Sequence, residues 1–303
     1  MRHRVLCVVG VAWFSGAALA GQSQDPRPVF RSGVEVVSVD VAVKSGNKPI
    51  AGLTAADFVV TDNGVIQAIG MASVETLPID VTLLLDMSAS VKGDMLVRLQ
   101  AAVADTAKLL TGRDRLRLVV FSHILHEAFD FKTGGGVFVA ADILPAGGGT
   151  SLYDALVAVM MKARPADRRH LIIAFTDGGD TLSFFNAAEA REVATLTDAV
   201  VHVVVGLDVP RVFSSARITL PAVVPNKKML DDLTGATGGQ VTSFRLTDSI
   251  GHAFKSVIDD FRTSYVLRYS PAGVARPGWH NISVTVKKAG SFDVRARKGY
   301  SGG

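Results

Sequence analysis

Ile79-Asp80-Val81-Thr82-Leu83-Leu84-Leu85-Asp86-Met87-Ser88-Ala89-Ser90 carries the decisive pattern of this 303-residue chain. Val81 to Leu85 is an apolar run of strand length that ends in Asp86, as a strand buried on both faces does. A helix follows, because Met95/Leu96, Leu99, Ala102/Val103, Thr106 and Leu109/Leu110 recur at helical spacing with Gly112 as a stop. Leu116 to Phe121 is the next strand. Thr150 opens a helix with Leu152, Ala155/Leu156 and Val159/Met160 on one face. Leu171 to Phe175 is again doubly buried and ends in Thr176-Asp177-Gly178. Beyond it lie a helix (Ala187 to Leu196), a strand (Val200 to Val205) and a helix (Lys228 to Leu233). Val241 to Phe244 is a short strand, and Ser249 to Phe261 the last helix. Strands alternating with helices predict an α/β fold with a doubly wound, mostly parallel, Rossmann-like sheet.

Outside this region the period falls to two. Val37, Val39, Val41 and Val43 alternate with Ser38, Asp40, Ala42 and Lys44, which predicts a strand with one buried face. Phe58-Val59-Val60 is extended, and Asp62-Asn63-Gly64 is a hairpin signal before a segment from Val65 to Met71. After the last helix, Tyr265 to Tyr269, Ile282 to Val286 and Phe292 to Arg297 read as three strands. Each flank has only about 40 to 50 residues, near the lower limit for an independent core. The two are therefore expected to form one small, discontinuous, β-sandwich-like domain around the inserted α/β domain. The expected boundaries are 28–77 and 263–300 for the β units and 78–262 for the insert.

The first 20 residues read as an export signal. Arg2, His3 and Arg4 begin it, Val5 to Phe14 form the apolar centre, and Ala18-Leu19-Ala20 offers a small-x-small cleavage site. Residues 21–27 are then a polar linker, and the expected location is secreted or periplasmic. Mean hydropathy is high at +0.31. Yet every other apolar run is strand-length, which excludes a multi-span membrane protein. Cys7, the chain's one cysteine, lies in the leader, so the mature chain uses neither disulfides nor thiol chemistry. Loss of Arg2 and Arg4 lowers the net charge from +4 to +2. No basic cluster with interleaved aromatics points to nucleic acid.

Three loops hold the informative polar residues: Asp86 to Ser90, Gly147-Gly148-Gly149-Thr150, and Thr176-Asp177-Gly178. All sit at carboxyl ends of strands or at the helix starts that follow, the edge where open parallel sheets bind ligands. Asp86, Ser88, Ser90, Thr150 and Asp177 together offer two carboxylates and three hydroxyls, an oxygen-only set for a hard cation. So few protein oxygens suit octahedral Mg²⁺, with Mn²⁺ or Ca²⁺ as alternatives. Two carboxylates balance the divalent charge, and an acidic group from a partner would complete the shell. Singly, each residue has a plainer role: Ser88, Ser90 and Thr150 as helix caps, Asp177 as a turn former. Asp180 and Ser183 read as solvated, and the three glycines as flexible. His123 and His126 lack the spacing of a zinc protease.

As a set, Asp-x-Ser-x-Ser with a distant threonine and a distant aspartate resembles the metal-ion-dependent adhesion site of von Willebrand factor type A domains. The stretch from Gly148 to Leu156 is similar to the family's threonine loop. The flanks resemble bacterial "VWFA-related" proteins common in Acidobacteria. They do so through Gly52 to Phe58, Asp62-Asn63-Gly64, Tyr265 to Pro271 and Val294 to Tyr300. The resemblance implies a type A fold and a non-enzymatic binding or adhesion protein whose metal meets an acidic residue of a protein partner. It also implies direct coordination by Ser88, Ser90 and Thr150, with Asp86 and Asp177 acting partly through water. The rival is a haloacid-dehalogenase-like phosphatase, where the residue two after the first aspartate is a general acid. Here it is Ser88, which cannot act so near neutral pH. A purely structural metal site is the third reading.

Overall fold

The computed structural model describes residues 36–74, 77–88, 91, 93–133, 147–162, 165, 167–176, 179–207, 211–212, 219–220, 227–245 and 248–302. The expected leader and linker, and the candidate ligands Ser90 and Asp177, lie outside the described residues. In chain order the elements begin with β1 (Val37–Ser45), β2 (Lys48–Pro49), β3 (Phe58–Asp62), β4 (Val65–Gln67) and β5 (Ile69–Val74). Next come β6 (Ile79–Asp86), α1 (Asp94–Leu109), β7 (Arg115–Phe121), β8 (Leu125–Thr133), α2 (Leu152–Met160) and β9 (Arg169–Thr176). They continue with α3 (Ala187–Leu196), β10 (Val200–Leu207), β11 (Arg211–Val212), β12 (Thr219–Leu220), α4 (Lys227–Ala236) and β13 (Val241–Arg245). The last are α5 (Ile250–Arg262), β14 (Tyr265–Tyr269), β15 (Gly278–Val286), β16 (Asp293–Ala296) and β17 (Gly299–Gly302). All of these fall in one compact unit, Glu35–Gly303.

The central sheet has the order β13-β10-β9-β6-β7-β8. Every neighbouring pair is parallel except β7 and β8. Strand order reverses between β6 and β9, which is where a ligand site belongs in such a sheet. Val81, Leu83 and Leu85 pack with α1 and α5 on one face, while Leu84 packs with α2, α3 and α4 on the other. This double burial explains the unbroken apolar texture of β6. β8 was not expected from the pattern. It is an edge strand with only Phe129 fully buried, and its charged residues are the kind that protect an open edge.

The flanking strands form two further sheets around one core. The first has the order β16-β1-β14-β5, with β2 on β1, and the second β17-β15-β3-β4. Val37, Val39, Val41 and Val43 are buried, and β1 lies antiparallel between β14 and β16. Both sheets thus mix strands from before β6 and after α5. The hairpin at Asn63-Gly64 has φ of 46° and 83°, the left-handed pair that an Asn-Gly turn supplies. The segment Val65 to Met71 is not one strand: β4 joins the second sheet and β5 the first, so the chain crosses between sheets at Ala68. β17 is an added strand, too short and glycine-rich to show a period.

The joint between α5 and the β strands is polar and buried. Arg169, 3% exposed, donates from Nε to Asp40 Oδ1 (2.7 Å) and from Nη2 to Phe261 O (2.9 Å) and Ser264 Oγ (2.6 Å). Its guanidinium lies 4.1 Å from the centre of the Phe261 ring. Lys44 on β1 pairs with Asp260 on α5.

Candidate metal centre

Asp86 closes β6 and is fully buried. Its Oδ1 accepts from the Ser88 amide (2.9 Å) and its Oδ2 from the Thr176 hydroxyl at the end of β9 (2.8 Å). The Met87 amide donates to Phe121 O at the end of β7 (2.7 Å). Three neighbouring strand ends are thereby fixed around one carboxylate. Ser88 is 4% exposed. It does not cap the following helix, since the N-cap of α1 is Gly93.

Thr150 precedes Ser151, the N-cap of α2. Its amide donates to Thr181 Oγ1 (2.8 Å), and its carbonyl accepts from the amides of Thr181 (2.8 Å) and Leu182 (3.1 Å). Among the described residues its hydroxyl makes no hydrogen bond, although Thr150 is only 7% exposed. The next amide, of Ser151, donates to Ser122 O after β7 (2.8 Å). Asp180 and Ser183 are not simply solvated. Ser183 Oγ accepts from the amides of Tyr153 (3.1 Å) and Asp154 (3.2 Å), and its hydroxyl donates to Asp180 Oδ1. They cap α2 from about 30 positions along the chain, a non-local role invisible to local patterns. Burial, and then the charge of Asp180, push the Tyr153 phenol up, so it stays neutral.

Gly148 and Gly149 allow close approach, while a Cβ on Gly147 would meet nothing within 4 Å. A Cβ on Gly149 would meet Leu182 Cδ1 at 2.5 Å and Thr181 Oγ1 at 2.8 Å. Gly148 has a φ of +93° and lies against the His123 ring, whose Nδ1 is 2.9 Å from Gly147 O. His123 thus packs against the glycine loop.

Asp86, Ser88 and Thr150 are thus brought to the carboxyl edge of β6 and β9. The residues present fit a hard divalent cation: a buried carboxylate and hydroxyls, with one hydroxyl unused. Among the described residues no group of three or more His, Cys, Asp or Glu is placed to hold a metal.

The family model described as "von Willebrand factor type A domain" matches residues 81–179. A search of curated proteins found no match. Among solved structures, the chain is similar to a von Willebrand factor type A structure from Catenulispora acidiphila. The identity there is 11%, covering 90% of this chain and 75% of that one, with a TM-score of 0.46. It is also similar to an aerotolerance-related membrane protein from Bacteroides fragilis (17% identity, 60% and 98% covered, TM-score 0.45). A third is proximal thread matrix protein 1 from the mussel byssus, solved with a zinc-occupied metal-site motif (16% identity, 61% and 48% covered, TM-score 0.47).

Proposed function

The chain contains a von Willebrand factor type A domain, and from that premise we propose that it is a secreted, non-enzymatic binding protein that presents a divalent metal to an acidic residue of a protein partner. The observation that carries this reading is the buried Asp86 carboxylate, held by the Ser88 amide and the Thr176 hydroxyl where strand order reverses, with a Thr150 hydroxyl that is unbonded among the described residues. Asp86, Ser88, Ser90, Thr150 and Asp177 would hold the ion, with Mg²⁺ favoured and Mn²⁺ or Ca²⁺ as alternatives. A cation bound there supplies an electrophilic centre for an incoming carboxylate oxygen. Asp86 and Asp177 would balance its charge, partly through water, and the neutral hydroxyls of Ser88, Ser90 and Thr150, weaker donors than further carboxylates, would keep it electrophilic. The Ser88 amide and Thr176 hydroxyl orient the Asp86 oxygens before any ligand arrives.

Millimolar Mg²⁺ or Mn²⁺ should raise the melting temperature of the purified chain, since a ligand at a hundred times its Kd adds about 2.7 kcal/mol. Asp86→Ala should fold yet lose that rise. A wild-type chain whose melting ignores both ions would remove the metal reading. Capture of an envelope protein in Mg²⁺, reversed by chelator, would then name the partner.

The same reading includes the flanks. Residues 28–77 and 263–300 are proposed to be one β domain around the insert 78–262, supported by the pairing of β1 with β14 and β16. Neither flank should then unfold cooperatively by itself, whereas 77–262 should. Calorimetry of the three fragments checks this, and a cooperative transition in either isolated flank would refute it.

A further inference from the structure

Five of the fourteen exposed large apolar side chains among the described residues lie on the loop bonded to Thr150 and on the turn from β7 into the start of β8. They are Ile124 (60% exposed), Leu125 (46%), Leu182 (54%), Phe184 (97%) and Phe185 (40%). Elsewhere such residues are scattered, which is ordinary; gathered at one rim they mark an interaction surface. Both loops are tied to the Thr150 segment. Leu182 donates its amide to Thr150 O (3.1 Å), and Ser122, whose amide donates to Ile124 O (2.9 Å), accepts from the Ser151 amide (2.8 Å). Phe184 follows Leu182 by two residues, so its Cα lies within ~7 Å of that of Leu182.

Phe184 is also held in place. Its amide donates to Asp154 Oδ2 (3.0 Å) and the Phe185 amide to Asp154 Oδ1 (2.9 Å). One carboxylate near the start of α2 therefore clamps the backbone of two successive phenylalanines. The ring of Phe184 is left in water by a fixed loop rather than by a loose one. Pre-ordering of this kind lowers the entropy cost of covering it. Among the described residues of the two loops, 122–125 and 179–186, Asp180 is the one charged side chain besides the neutral-or-charged His123. No lysine or arginine there would favour an anionic lipid surface.

We infer that the metal face is built for a carboxylate flanked by a large apolar or aromatic side chain, with Phe184 and Leu182 covering that neighbour while the carboxylate enters the metal site. The inference rests on the proposed metal–carboxylate reading and adds the chemistry of the partner.

The test uses the purified chain loaded with Mn²⁺ and two small carboxylates, acetate and 3-phenylpropionate, with affinity read by calorimetry. Phenylpropionate should bind about tenfold more tightly, the effect of covering roughly 55 Å² of apolar surface. Phe184→Ser combined with Leu182→Ser should remove that gain and leave acetate and Mn²⁺ binding unchanged. Both side chains are exposed, so folding is not at stake. Equal affinities for the two acids in wild type, or a gain that survives the double variant, would overturn the inference while leaving the metal reading intact. Failure of both acids on a chain that binds Mn²⁺ would overturn the carboxylate reading and this inference with it. Metal-independent binding to phosphatidylcholine vesicles, lost in the double variant, would show a membrane-inserting loop instead and also overturn it.

Discussion

Asp62→Ala should lower stability by about 3 kcal/mol, because it removes a buried acceptor on which three side chains converge. Asp62 ends β3 and is fully buried. Its Oδ1 lies 2.7 Å from His280 Nδ1, and its Oδ2 accepts from the hydroxyls of Tyr300 (2.9 Å) and Tyr269 (3.1 Å). His280 Nε2 is 3.1 Å from Arg276 O. A carbonyl only accepts, so the Nε2 contact places a proton on Nε2. The His280 and Tyr300 rings stack, with centroids 4.5 Å apart. Burial, and then the charge of Asp62, raise the Tyr269 phenol, so its hydroxyl keeps its proton and donates.

Removal of the carboxylate takes an acceptor from the Tyr269 hydroxyl and from the His280–Tyr300 pair in a dry core, and buried polar groups that lose an acceptor are costly. Asp62→Asn keeps one acceptor and should lose less. Tyr269→Phe and Tyr300→Phe should each cost about 1 kcal/mol, because Asp62 retains its other donors. Urea unfolding followed by the fluorescence of Trp279, next to His280, reads the β core directly. A loss below 1 kcal/mol for Asp62→Ala would mean that the network does not hold the two sheets together. The geometry argues that it does, since Tyr269 comes from the first sheet while Asp62, His280 and Tyr300 come from the second.

This network also marks where sequence reading stops. Asp62 reads as a turn former beside Asn63-Gly64, and it does flank that hairpin, but its main partners lie more than 200 residues away. Burial of a polar residue by distant partners leaves no periodic trace. The α/β order was legible because β6 and β9 are covered on both faces, and double burial demands unbroken apolar runs. Asp86 was legible for the same reason: a carboxylate at the end of such a run needs a purpose. Thr150 follows a glycine run of which Gly148 and Gly149 lie in contact with His123, Leu182 and Thr181. Asp180, Ser183 and Asp154 were missed as a unit because they cap and clamp across the space between two loops. β8 was missed because an exposed edge strand carries no burial pattern.

His202 sets the second large effect, on acid stability. It lies on β10, 4% exposed, and its pKa is lowered from 6.5 to about 3, first by burial and then by the charges of Arg295 and Lys44. The ring is therefore neutral in the folded chain and becomes charged in the unfolded chain below about pH 6.5. The unfolded state then binds more protons, so stability falls as pH drops. Its contribution is fully present above pH 6.5 and is lost progressively toward pH 3, in total on the order of 4 kcal/mol. A non-titrating His202→Gln variant should show a shallower decline than wild type across that window. The two curves should run parallel above pH 7, offset only by the cost of the substitution itself. Denaturant midpoints measured at half-unit steps from pH 8 to pH 3.5 make the comparison. Parallel curves throughout would mean that His202 already accepts a proton in the fold. The location makes the effect matter: the ring shares a cavity of about 20 Å³ with Asp40, Asp260, Phe261, Ser264 and Arg295. Those residues join α5 to β1 and β16, so a proton forced onto His202 would loosen the joint between the α/β sheet and its flanking strands before it disturbed the distant edge that carries Asp86.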